Sequence, residues 1–250
     1  MPPAFHRAES EATEDYLKAI HALEERHGMA VGTMELAGRL GVTPGSASAM
    51  TRKLAERGLV EVERYRGVTL TDRGRELALE VIRHHRLLAL YLNEHLGVPW
   101  DRVHDEAERL EHVLSEELEQ RIAAKLGNPT RDPHGDPIPT VDGRILEPEA
   151  VALQALEPGD CGCFVRVSDS DPAMLRFLSE RGIAPGDRVE VLDKQPFDGP
   201  LVCRFGDAIH HTSAADSPLP CASSSPNRLA CRRRRRPSSR RTPRRGRRCP

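Results

Sequence analysis

Four side chains that could bind a metal ion lie close together in the segment His104–His112. If the segment is one α-helix, with about 100° per residue, Glu108, Glu111 and His112 lie at about 40°, 340° and 80° from His104. Two imidazoles and two carboxylates would then converge on one stripe. Charged residues four apart more often form solvated salt bridges, so the stripe alone leaves a metal site and a salt-bridge face both open.

Composition limits the class of protein. The chain has 250 residues, of which 38% are hydrophobic, enough for one large domain or two to three small ones. It has no run of eighteen apolar residues, and its first residues lack the apolar core of a signal peptide. We therefore expect a soluble, cytoplasmic protein without a membrane partner. Six cysteines without a C-x-x-C pair predict ordinary thiols.

Charge is strongly segregated along the chain. Residues 211–250 contain 12 Arg and one acidic residue, whereas residues 1–210 contain 25 Lys and Arg against 37 Asp and Glu. The body is therefore acidic and the tail basic. The tail has almost nothing to bury, which predicts disorder.

Three helices and a hairpin precede the stripe. Residues 12–27 have helical apolar spacing, Thr33 is the predicted N-cap of a second helix, and Thr43 is the predicted N-cap of a third. Only Gly41 and Val42 separate the second and third helices, which predicts a helix-turn-helix. Residues 59–71 alternate apolar and polar side chains around a turn at Arg66-Gly67, which predicts a β-hairpin wing.

A helix-turn-helix followed by a wing indicates DNA binding more strongly than a small helical domain with an incidental hairpin. Small residues dominate the predicted reading face, which favours readout of DNA shape and water-mediated contacts. For Gly45 and Ala49, plain helix packing is an almost equally good explanation. The predicted contacts to base edges are Thr43, Gly45, Ser46 and Ala49, and those to phosphates are Arg52, Lys53, Arg64 and Arg66.

Two long helices are predicted next, over about residues 72–94 and 101–126, and helices of this length predict a homodimer core. Residues 128–158 are dense in Pro and Gly and predict a linker with some order. Residues 159–206 predict short strands around one helix. The predicted fold class is mainly α (α+β).

Four short motifs carry a family resemblance. Over residues 8 to about 210 the chain resembles the DtxR/MntR family of metal-dependent transcriptional repressors, through the segments Thr13–Leu17, Val103–Ala107, Leu110–Val113 and Pro133–Pro139. The resemblance implies a winged helix-turn-helix at 1–72, a dimerisation and metal-binding helical domain at 73–140, a linker at 141–158 and an SH3-like (FeoA-type) domain at 159–211. Composition predicts the disordered tail at 212–250.

The resemblance also implies two metal sites. The primary site would consist of Asp15, Glu108, Glu111 and His112, and a second site of His85 and His104, with Asp171 as a possible cap. Iron-sensing members have Met and Cys at the positions of Asp15 and Glu108, whereas manganese-sensing members have carboxylates. Hard oxygen donors suit Mn(II), so Mn(II) is the expected corepressor and Fe(II) the alternative.

Departures from the family affect the second site and the tail. Lys18 lies where some manganese sensors have a second-metal Glu, and Ala89 lies where iron sensors have a Glu. After about His211 the chain runs into arginine clusters instead of completing the small barrel. Such a segment is typical of a shifted reading frame, which we favour, or of a basic tail that binds DNA non-specifically.

The resemblance implies a mechanism as well. A metal ion shared by Asp15 and the ligands of the dimerisation domain would join that domain to the DNA-binding domain, so that both recognition helices of a dimer match major grooves about 34 Å apart. Without metal, the clustered carboxylates are expected to repel one another and loosen the protein.

Two other classes of function compete with this one. A carboxylate-bridged di-metal enzyme needs E-x-x-H on each of two helices, and the helix from Asp72 has Leu79 and Arg83 three residues after Glu76 and Glu80. We therefore expect no enzyme. A winged-helix regulator with an organic effector is disfavoured by the convergence of hard ligands.

Overall fold

The computed structural model describes residues 10–63, 66–146, 150–169, 171–195, 200–206, 208–212 and 230–234. The chain divides into two compact units. One comprises residues 1–148 and 169–177, and the other comprises residues 149–168 and 178–250. None of the described helices is long and apolar enough to cross a bilayer.

The first three helices form the predicted helix-turn-helix. They are α1 (Glu11–His27), α2 (Thr33–Leu40) and α3 (Pro44–Glu56). Thr43 caps α3, since its side chain accepts a hydrogen bond from the Ser46 N–H. The predicted N-cap at Thr33 is wrong, because the extended residue before α2 is Gly32 and Thr33 is already helical. Leu17, Ile20, Leu36, Ala47 and Leu54 are fully buried in the core of this domain.

The predicted wing is formed by β1 (Val60–Glu63) and β2 (Gly67–Leu70), which pair antiparallel. A buried carboxylate, that of Glu24 near the end of α1, accepts hydrogen bonds from the Leu70 N–H and from Nη2 of Arg75, each at 2.7 Å. One side chain thus connects α1, the wing and the start of the next helix.

The second of the two predicted long helices is broken. After α4 (Asp72–Leu96), the chain forms α5 (Val103–Leu110), a 3-10 turn (Glu111–Val113) and α6 (Glu116–Lys125), so the single helix predicted over 101–126 is wrong. The break lies at Leu114, which is extended (φ −70°, ψ 123°). Ser115 then caps α6 by accepting from the Leu118 N–H at 3.3 Å, which starts a new helix instead of continuing the old one.

The segment after α6 packs on α4 through polar contacts. Arg83 donates to the Pro139 carbonyl at 2.7 Å, and Arg86 donates to the Pro137 carbonyl. His134 is 1% exposed, with Nε2 2.8 Å from the Trp100 carbonyl oxygen. Part of the predicted linker region is therefore an ordered piece of the helical domain.

The second unit contains a six-stranded sheet in the order β3-β8-β4-β5-β6-β7, with antiparallel neighbours. The strands are β3 (Val151–Ala152), β4 (Cys161–Arg166), β5 (Arg188–Lys194), β6 (Leu201–Phe205), β7 (Ala208–Thr212) and β8 (Ala230–Arg234), and most of α7 (Pro172–Ser179) belongs to the first unit. The disorder predicted for 212–250 is wrong at 230–234, because this segment pairs with β3 and β4. Residues 213–229 and 235–250 lie outside the described residues.

Candidate metal centre

The predicted primary ligands come from two elements, α1 and the α5–3-10 segment. Nε2 of His112 lies 3.2 Å from Oδ1 of Asp15 and 3.6 Å from Oε1 of Glu111. Nδ1 of His112 lies 2.5 Å from Oε2 of Glu14. Three of the four predicted ligands therefore meet around His112, although Glu111 and His112 belong to the 3-10 turn and not to α5.

Glu111 is the centre of the cluster. Its side chain is 0% exposed, and Nδ1 of His85 donates to its Oε2 at 2.5 Å. Burial raises the pKa of Glu111, but the hydrogen bond from His85 and the charge of Lys18 outweigh burial and bring the pKa below its usual value. The buried carboxylate is thus held in its charged, ligand-competent form.

Lys18, which sequence analysis placed at the position of a second-metal Glu, provides an ammonium group whose contacts with two predicted primary ligands were not predicted. Its Nζ lies 2.5 Å from Oε1 of Glu108 and 2.6 Å from Oε1 of Glu111. Lys18 offsets part of the expected repulsion among the carboxylates, but Glu108 and Glu111 still act to raise the pKa of Asp15. The signal in the sequence was its position three residues after Asp15, which puts both on one face of α1.

The second predicted site has a different third member. His85 and His104 lie together, with ring centroids 4.9 Å apart, and Nε2 of His104 is 3.7 Å from Oε1 of Glu108. Nδ1 of His104 lies 3.0 Å from Oδ2 of Asp169. This contact raises the pKa of His104, and although burial acts to raise the pKa of Asp169, its bond with His104 brings that pKa well below the usual value.

The prediction of Asp171 as the cap of the second site is wrong. Oδ1 of Asp171 accepts hydrogen bonds from the N–H groups of Ala173 and Met174, at 2.9 and 3.2 Å, so its carboxylate caps α7. Asp169, two residues earlier, precedes this cap and is the residue that reaches His104.

The choice between the adjacent histidines His84 and His85 agrees with the geometry. Both are buried, but His84 points to the backbone carbonyl of Glu111, at 3.3 Å, and to Oε2 of Glu119, at 3.4 Å. His85 alone of this pair belongs to a group of converging ligand atoms.

The donor atoms fit a divalent metal ion. Within the described residues, ligand atoms converge to within 4.8 Å in three groups, whose members are all carboxylates or imidazoles. Two of the groups share His85, and the four predicted primary ligands are divided between two groups, with Asp15 and His112 in one and Glu108 and Glu111 in another. The ammonium group of Lys18 binds two of the carboxylates, those of Glu108 and Glu111, so the cluster already holds one positive charge. Oxygen and nitrogen donors of this kind suit Mn(II) and Fe(II). The groups are Glu11, Asp15 and His112; His85, Glu108 and Glu111; and His85, His104 and Asp169.

Electrostatics favour cation binding on the Asp15 side as well. Burial lowers the pKa of His112, but the hydrogen bond with Glu14 and the charges of Glu111 and Asp15 raise it above its usual value. Burial raises the pKa of Asp15. Because His112 must be neutral to bind a metal ion, its raised pKa makes metal affinity depend on pH.

The candidate DNA contacts on α3 share one exposed surface. Thr43, Gly45, Ser46, Ala49, Arg52 and Lys53 are all exposed. The exposure of Gly45 and Ala49 argues against the alternative that they serve helix packing. Arg66 is exposed on the wing, where it pairs with Glu63 at 3.1 Å, and Arg64 lies outside the described residues.

Family models cover most of the chain. The model for the iron dependent repressor, N-terminal DNA binding domain, matches residues 10–68. The model for the iron dependent repressor, metal binding and dimerisation domain, matches residues 71–140. The FeoA domain matches residues 151–213.

Similar proteins are repressors. The iron-dependent repressor IdeR of Mycobacterium tuberculosis (strain ATCC 25618 / H37Rv) is 35% identical over 193 residues, which cover 72% of this chain and 84% of the relative. The diphtheria toxin repressor of Corynebacterium glutamicum is 39% identical over 204 residues, 74% of this chain and 85% of the relative. A solved manganese-dependent transcriptional repressor in complex with manganese is 43% identical, with a TM-score of 0.78, over 88% of this chain and 99% of that chain.

Proposed function

This chain belongs to the iron-dependent repressor (DtxR/MntR) family, and from that premise we propose that Mn(II) is the corepressor with which it controls metal-transport genes. The family consists of DNA-binding transcriptional repressors and not of enzymes. The chain is accordingly a metal-dependent repressor of this family with a winged helix-turn-helix, a helical dimerisation domain and a C-terminal FeoA domain.

The ligand chemistry supports Mn(II) over Fe(II). The positions at which the iron sensors of the family have Met and Cys are Asp15 and Glu108 here, so the primary site offers only carboxylates and one imidazole. Mn(II) lies at the low end of the divalent affinity series and prefers hard oxygen donors, whereas sulfur donors favour softer metals. The carboxylates of Asp15 and Glu108, in a ligand set without sulfur, are the observation on which the proposal depends.

Asp15, Glu108, Glu111 and His112 would hold the metal, and His85, His104 and Asp169 would hold a second ion. The bound ion would supply a positive charge shared by α1 and the α5–3-10 segment. Asp15 lies on the first helix of the DNA-binding domain, and Glu111 lies in the metal-binding and dimerisation domain. A metal ion bound by both residues would therefore fix the position of the DNA-binding domain relative to the dimerisation domain. Fixing them selects the arrangement in which both copies of α3 reach operator DNA.

A homodimer is part of the proposal. Leu110, Val113 and Leu118 are 39%, 77% and 48% exposed on the α5–α6 segment. Three exposed apolar side chains within nine residues of the predicted dimerisation segment favour a buried interface with a second copy of the chain.

The test is DNA binding at fixed salt to the promoters of manganese-transport genes, with chelator, Mn(II) or Fe(II) added separately without oxygen. We expect binding with Mn(II), loss of Mn(II)-dependent binding in Glu111→Gln, and none in chelator. Glu117→Gln is the matched control, since Glu117 is 77% exposed and pairs only with the exposed Arg121 in the contacts described. Equal binding in chelator would refute metal dependence, and a stronger response to Fe(II) would refute the manganese assignment.

A further inference from the structure

Lys18 occupies the space that a metal ion would need between two of its ligands. Its Nζ is within 2.6 Å of both Glu108 and Glu111, and these two carboxylates converge with His85 as a potential metal-binding group. We propose that Lys18 is a tethered competitor of the metal, whose ammonium group holds Glu108 and Glu111 in the metal-free protein and leaves them when a divalent cation binds. This inference rests on the proposed function, in which Mn(II) binds at these residues.

The geometry at Glu111 makes the two cations mutually exclusive. Oε2 of Glu111 already accepts a hydrogen bond from His85 at 2.5 Å. Oε1 is the oxygen bound by Lys18, and it is also the oxygen that faces His112, at 3.6 Å. A metal ion shared by Glu111 and His112 would therefore bind the same oxygen that the ammonium of Lys18 now contacts.

Charge and burial strengthen the competition. Glu111 is 0% exposed and Lys18 is 21% exposed, so water screens their attraction and any repulsion between Lys18 and a metal ion only partly. Lys18 and Asp15 lie on one face of α1, with Asp15 beside His112 and the ammonium of Lys18 beside Glu108 and Glu111. Moving the ammonium away from these two carboxylates therefore does not require Asp15 to leave His112.

The competition predicts a lowered metal affinity. A metal ion must replace two charge-assisted hydrogen bonds before it gains Glu108 and Glu111 as ligands. Charge-assisted bonds of this type correspond to a change of about tenfold or more in an equilibrium constant. Lys18 therefore raises the metal concentration at which the repressor responds.

The first experiment measures Mn(II) affinity by isothermal titration calorimetry in the full chain and in three variants. Lys18→Met, which keeps the length of the side chain without its charge, is expected to bind Mn(II) about tenfold more tightly and to lower the unfolding temperature of the metal-free protein. Lys18→Arg keeps the charge, and Lys125→Met removes an equal charge from an exposed site on α6, so both are expected to stay near the wild-type affinity. An affinity of Lys18→Met equal to or weaker than wild type would overturn the inference.

A second experiment needs no variant. The full chain is acylated with a lysine-reactive reagent with and without Mn(II), and modification of Lys18 is measured by peptide mass spectrometry relative to Lys125. Modification of Lys18 is expected to rise several-fold when Mn(II) binds. If calorimetry shows Mn(II) binding while modification of Lys18 does not change, the inference is wrong and the proposed function stands; if no Mn(II) binds, both fail.

Discussion

Replacing Gly74 by alanine tests the packing of α4 against the wing. Gly74 lies in the first turn of α4, where its N–H donates to the Thr71 side chain at 3.1 Å. A Cβ atom added there would lie 1.9 Å from the carbonyl oxygen of Leu59 and 2.9 Å from its carbonyl carbon. Both are backbone atoms of a residue that is 0% exposed, so rotation of a side chain cannot relieve the overlap.

The magnitude follows from two opposing effects. Alanine in place of glycine inside a helix normally gains about 0.5–1 kcal/mol. Overpacking that forces the backbone to shift costs about 1–3 kcal/mol or more, and an overlap of this size lies at the upper end. The net expectation for Gly74→Ala is a loss of about 2 kcal/mol, which lowers the unfolding temperature by roughly 4–8 °C for a chain of this size.

Gly38→Ala is the matched control, because Gly38 is also inside a helix and a Cβ atom there would have nothing within 4 Å. It is expected to gain about 0.4–1 kcal/mol. Thermal and urea unfolding followed by circular dichroism at 222 nm measure both variants. If Gly74→Ala is as stable as wild type or more stable, the described contact between α4 and Leu59 is wrong.

Three further predictions concern titrating groups and a helix cap. Burial lowers the pKa of His134, but Asp132 raises it more, to about 9. The stabilisation by protonated His134 is therefore complete below pH 6.5 and lost as pH rises through 9. In urea titrations, the free energy of unfolding of the wild type should fall by about 2–3 kcal/mol over this window relative to His134→Gln. Burial raises the pKa of Glu80 to about 7. The stability that protonated Glu80 contributes below pH 4.5 is lost as pH rises through 7. The free energy of unfolding of Glu80→Gln should therefore exceed that of the wild type by about 1–2 kcal/mol at pH 8, after allowance for solvent screening, and by almost nothing at pH 4. Thr43→Ala removes the acceptor of the Ser46 N–H and should cost about 1 kcal/mol in thermal unfolding, and an unchanged unfolding temperature would contradict the cap.

The ligand stripe was predictable although its helix was not. A residue advances by about 100° in an α-helix and about 120° in a 3-10 helix, so the switch at Glu111 turns His112 by only a few tens of degrees. Glu111 and His112 thus stay on the face predicted from an unbroken helix. The break depends on Ser115, which caps α6. The apolar residues on both sides of Ser115 keep helical spacing, so the sequence pattern predicted one continuous helix.

Asp169 was not assigned to the site, and the contacts of Lys18 with Glu108 and Glu111 were not predicted, because periodicity relates only residues of one element. Lys18 lies 90 residues before Glu108, and Asp169 lies 65 residues after His104. Asp171 was implied by the resemblance alone, whereas its carboxylate accepts hydrogen bonds from the backbone of α7. The strand at 230–234 was missed for another reason. The prediction of disorder used composition, which indicates how much apolar surface a segment can bury. Pairing with β3 and β4 depends instead on backbone hydrogen bonds, which any composition can form.

Helix α1 has attachments at both ends, which makes it a lever. Asp15 and Lys18 contact the metal-binding segment near its beginning, and Glu24 bonds the wing and α4 near its end. The nine helical steps from Asp15 to Glu24 span about 13 Å of rigid helix. A tilt of about 5° at one end therefore moves the other end by about 1 Å, and the buried bonds of Glu24 carry that displacement into the hairpin. Exchanging the cation beside Glu111 is thus mechanically coupled to the orientation of the wing.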